Sequence, residues 1–62
     1  MGKHADLYRK LADLVRNGSI DDMLPAEVLE NHPEFNAIKV VTFRGKLREI
    51  RRMMGKTVPR GK

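Results

Sequence analysis

The chain has 62 residues, with 13 Lys and Arg against 8 Asp and Glu, a formal charge of +5, and neither cysteine nor tryptophan. A length near 60 residues allows one domain whose core supplies only about 3–5 kcal/mol, and the missing cysteines exclude disulfides, cysteine-ligated zinc and thiol catalysis. A hydrophobic fraction of 40% beside 34% charged residues fits a folded, soluble chain, and no apolar run approaches the ~20 residues of a membrane span, so the expected location is the cytoplasm or nucleus.

The first periodic segment runs from about His4 to Asn17. Leu7, Leu11 and Leu14 recur at i, i+4 and i+7, Tyr8 and Val15 widen the stripe, and Asp6 precedes Lys10 by one helical turn. Asn17-Gly18 tolerates the left-handed conformation that ends a helix. Ser19 to Leu24 reads as a connector in which Asp21 or Asp22 caps the second helix. Pro25 suits a first helical turn, where its missing N–H costs nothing. A short helix over Pro25–Asn31 must then stop before Pro33, because the residue ahead of a proline is pushed out of the helical region. Pro33-Glu34-Phe35 can open a further turn with Phe35 and Ile38 inward, while β-branched Val40-Val41 suggests an extended piece.

Thr42 is the expected N-cap of the last helix, in which Phe43, Leu47, Ile50 and Met54 fall within an arc of about 60°. Arg51, Arg44, Arg48 and Arg52 follow at roughly 80°, 100°, 140° and 180° from Phe43, so four arginines share one side of the same helix. Gly55 ends it. Gly45 stands in its interior at a cost of about 1 kcal/mol relative to alanine, a position suited to close approach by another backbone or a partner. The expected fold is all-α: a compact domain of three helices over residues 1–55, or four if Pro33–Ile38 is itself helical, with a basic C-terminal helix. Residues 56–62 are expected to form a short, flexible basic tail. Its core would be Leu7, Leu11, Leu14, Val28, Leu29, Phe35, Phe43, Leu47 and Ile50.

Catalysis finds little to work with. The single serine, Ser19, has no histidine near it in sequence, Asp21-Asp22 is better explained by capping, and Gly18, Gly45 and Gly55 stand apart rather than forming a phosphate loop. His4 and His32 cannot complete a metal site by themselves, and no cofactor is expected.

Charge is distributed unevenly. Residues 1–37 carry four basic against seven acidic side chains, a net of −3, whereas residues 38–62 carry nine basic side chains against Glu49 alone, a net of +8. The positive part gathers on the last helix and its tail. Guanidinium forks match phosphate oxygens, and a row of them on one helix can follow a nucleic-acid backbone or enter a major groove. The sequence therefore points to a small regulatory module that binds nucleic acid, duplex DNA ahead of RNA, through Arg44, Lys46, Arg48, Arg51, Arg52, Lys56 and Arg60. With Tyr8, Phe35 and Phe43 as the only aromatics, it lacks the stacking platforms of single-strand binders. A helix-turn-helix would need a connection of 3–4 residues between the second and last helices, and here it is longer. The competing reading is a protein-interaction module that docks on a larger protein through its amphipathic helices. Homodimerisation would supplement a core this small.

Overall fold

The computed structural model describes residues 3–56. It contains α1 (Ala5–Asn17), α2 (Pro25–Asn31) and α3 (Val40–Met53), with a 3-10 helix over Pro33–Ala37 between the last two. The fold is all-α, and no strand occurs among the described residues. α3 packs against both α1 and α2, so it forms the spine on which the other elements rest.

Each boundary has a local cause. Gly18, at φ 83°, ends α1, and its N–H donates to the Val15 carbonyl at 3.3 Å. Only a residue without a Cβ enters that left-handed conformation without strain. Gly55, at φ 72°, closes α3 in the same way. Its N–H donates to Arg52 and that of Lys56 to Arg51, the paired bonds that satisfy a helix's last carbonyls. Pro25 opens α2. The residue at its N-cap position is Leu24 rather than Asp21 or Asp22, and the Leu24 N–H is satisfied by the Glu27 carboxylate at 2.8 Å. Asp21 is used elsewhere, accepting from Lys56.

The start of α3 departs from expectation. Val40 and Val41 form its first turn instead of an extended piece, and Lys39, not Thr42, occupies the N-cap position. The reason lies with Phe43, which is fully buried and whose N–H donates to the Lys39 carbonyl at 2.8 Å. A start at Thr42 would leave that N–H buried and unpaired, at about 1–3 kcal/mol. The helical penalty of two valines is only a few tenths of a kcal/mol each.

The core consists of Leu11, Val15, Ile20, Val28, Phe35, Ile38, Phe43, Leu47 and Ile50. Phe35, delivered by the 3-10 helix, meets Phe43 with ring centroids 5.4 Å apart, and His32 sits edge-on against Phe35 at 6.1 Å. Leu7, Leu14 and Leu29 lie at the margin, half-buried, and Ile20 from the α1–α2 connector takes a central place. No helical periodicity flags Ile20, because its position depends on how the connector folds back.

Lys10 on α1 forms an ion pair with Glu34 of the 3-10 helix. The hydrogen bond from Lys10 holds the Glu34 carboxyl below the ordinary carboxylate range, helped by a bond from its own backbone. A carboxylate whose folded pKa is depressed contributes stability that is present above its unfolded pKa and disappears as pH falls through the folded value. Glu34→Gln is therefore expected to be less stable than the parent chain at neutral pH. The two proteins should converge below about pH 4 in chemical denaturation series run across pH. An undiminished difference at pH 3 would show that the ion pair is not its source.

Candidate nucleic-acid interface

The apolar stripe of α3 faces inward through Phe43, Leu47 and Ile50, so the side chains on its opposite flank are carried to the surface. Arg44, Arg48 and Arg52 are all exposed. They recur every four residues, about 6 Å of helix per step, and form a row about 12 Å long. Among the described residues none of the three has an ion-pair partner. Glu49, the acidic side chain nearest in sequence, is 3.6 Å from Lys46, and Asp21, on the connector that α3 clamps, is 3.2 Å from Lys56.

Arg51 departs from this row. It is 2% exposed, the largest fully buried side chain of the domain. Its Nη2 donates to the Ile20 carbonyl at 2.7 Å and to the Met23 carbonyl at 2.8 Å. Burial pushes its pKa down from the usual guanidinium value, with Asp21 opposing the shift. Nη1 is buried with no hydrogen-bond partner among the described residues. Arg51 thus clamps the connector onto α3, and the expectation that it contacts a ligand at the surface is corrected. The spacing of Arg51 along the helix contains the signal. At about 80° from Phe43 it lies nearer the apolar stripe than any other arginine of α3, and only one helical turn from Leu47.

Two of the lysines are also engaged within the domain. Lys46 is half-buried, with its Nζ 5.1 Å from the centroid of the Tyr8 ring on α1, an arrangement that stabilises a cation over an aromatic face. Lys56 is half-buried and reaches back to both carboxylate oxygens of Asp21. Arg60, and with it residues 57–62 of the expected basic tail, lies outside the described residues.

The remaining surface of α3 is not purely cationic. Val40 is 52% exposed and Val41 80% exposed, both at its N-terminal end. Beside them, Leu24, Pro25, Ala26, Leu29, Val40 and Arg44 line an open apolar groove of about 350 Å³ between α2 and α3. Residues 32–39 separate these helices, which is longer than the 3–4-residue turn of a helix-turn-helix. Among the described residues no three His, Cys, Asp or Glu side chains are grouped to hold a metal ion, and no helix is long and apolar enough to cross a membrane. Comparison with known protein families, with curated proteins and with solved structures returns no match for this chain.

Proposed function

We propose that this domain binds nucleic acid, duplex DNA in preference to RNA, by laying the exposed face of α3 against the duplex, and that it acts as a small regulatory module. One observation carries the reading: Arg44, Arg48 and Arg52 form an exposed row without ion-pair partners among the described residues. A solvated helix face of ordinary composition alternates signs along such a row. A row of guanidinium forks suits phosphate oxygens better than it suits water alone. Lys46 and Lys56, held by Glu49, Tyr8 and Asp21, contribute to the field around the helix rather than direct contacts. Arg60 and Lys62 add non-specific attraction from the tail.

The test is a fluorescence-anisotropy titration of a 20-base-pair duplex across a salt series. Two to three neutralised phosphates predict a slope of log affinity against log salt of about −2 to −3. No association at 50 mM salt would dismiss the reading. The open groove between α2 and α3, with Leu24 and Val40 at the surface, favours a second reading in which an apolar segment of a larger protein docks there. Capture of a protein from nuclease-treated lysate, abolished by Leu29→Asp with the helical circular-dichroism signal intact, would support that alternative.

A further inference from the structure

Gly45 lies in the middle of α3, where glycine costs about 1 kcal/mol relative to alanine. Nothing among the described residues calls for it. Its backbone φ is not positive, and beyond the surrounding turns of α3's own backbone a Cβ built on it would meet no atom of the described residues within 4 Å. Its surroundings are specific, however. Taking Val41 as zero, Arg44, Arg48, Arg52 and Gly45 fall at about −60°, −20°, +20° and +40°, so all five share an arc of about 100° on the exposed side of the helix. A face that only tracked phosphates would gain nothing from an 80%-exposed valine near its middle and a residue of bare backbone along one edge.

Resting on the nucleic-acid reading, we infer that α3 enters the major groove of B-form DNA by its N-terminal half, with Gly45 as the point of closest approach, and reads base edges there. The dimensions agree, since a helix with side chains is about 10–12 Å across and the major groove about 12 Å wide. Val41 supplies methyl groups of the kind that pack on a thymine methyl, and Arg44, one residue from Gly45, is placed to fork onto the O6 and N7 of guanine. Arg48 and Arg52, further along, reach the phosphates. The deep, narrow major groove of duplex RNA admits no helix, so RNA of the same length should bind more weakly and without selectivity.

Selection from a random-sequence duplex library tests this, followed by titration of the enriched site, an unrelated duplex and a duplex RNA. The parent chain is expected to enrich a short motif containing thymine and guanine. Gly45→Ala should then melt about 4–8 °C higher, through the helix propensity gained. The same variant should bind the enriched site on the order of tenfold more weakly, the scale of one lost base-pair contact, with binding to the unrelated duplex unchanged. Gly45→Leu should extend the loss. Binding of all duplexes without an enriched motif overturns the inference and leaves the nucleic-acid reading standing, as does a Gly45→Ala variant that keeps full selectivity. Absence of any duplex binding overturns both.

Discussion

Arg51→Ala is expected to remove about 3–4 kcal/mol of stability, most of what a core of this size supplies. Two charge-assisted hydrogen bonds to the Ile20 and Met23 carbonyls are lost, and the space of the largest fully buried side chain is emptied. Arg51→Met, which refills most of that space, should cost less, about 2 kcal/mol. The guanidinium's partners are neutral carbonyls, so its removal leaves no buried opposite charge behind. The Ile20 carbonyl also keeps its bond from the Met23 N–H at 3.1 Å. Urea denaturation followed by circular dichroism measures both effects. Arg52→Met, one residue away and exposed, provides the control, expected within about 0.5 kcal/mol of the parent. Equal stability of the Arg51 and Arg52 variants would show that the clamp between connector and α3 contributes nothing.

This effect also determines where a binding test can be made. A charge reversal at Arg51 would abolish binding by unfolding the domain, whatever the role of the surface. Arg48→Glu combined with Arg52→Glu acts on two exposed side chains without ion-pair partners among the described residues, so the melting temperature should stay within a few degrees. Affinity for a 20-base-pair duplex at 50 mM salt should fall by at least about 100-fold. The salt slope should shrink by about 2 in magnitude, since each phosphate contact contributes about 0.9. A double variant that binds with unaltered affinity and slope would remove the arginine row from any account of nucleic-acid binding. The row would then be a solvated face, and the apolar groove beside Leu24 and Val40 would become the leading surface.

The local features of this protein are legible in its sequence because they obey rules that act within a few residues. The α1 stripe, the left-handed stops at Gly18 and Gly55, the entry of Pro25 and the inward row Phe43, Leu47 and Ile50 depend on helical periodicity and on the backbone freedom of glycine and proline. The start of α3 escapes such rules: propensity argues against two adjacent valines, but the buried N–H of Phe43 needs the Lys39 carbonyl. The candidate site divides along this line. That Arg44, Arg48, Arg51 and Arg52 share one side of a helix is a matter of spacing. Which of them stay in water is a tertiary matter. The connector folds back so that Ile20 enters the core, and its carbonyl and that of Met23 then lie where Arg51, nearest the apolar stripe, can satisfy them. The same return brings Asp21 to Lys56, and the 3-10 helix brings Glu34 to Lys10. These pairings join residues 24 to 35 positions apart. No period in the chain encodes them, because they arise only when burial of the core brings the connector and the 3-10 helix against their partners. The net charge of +5 is therefore readable from composition, whereas its division into one buried clamp, two internally engaged lysines and an exposed arginine row is decided by packing.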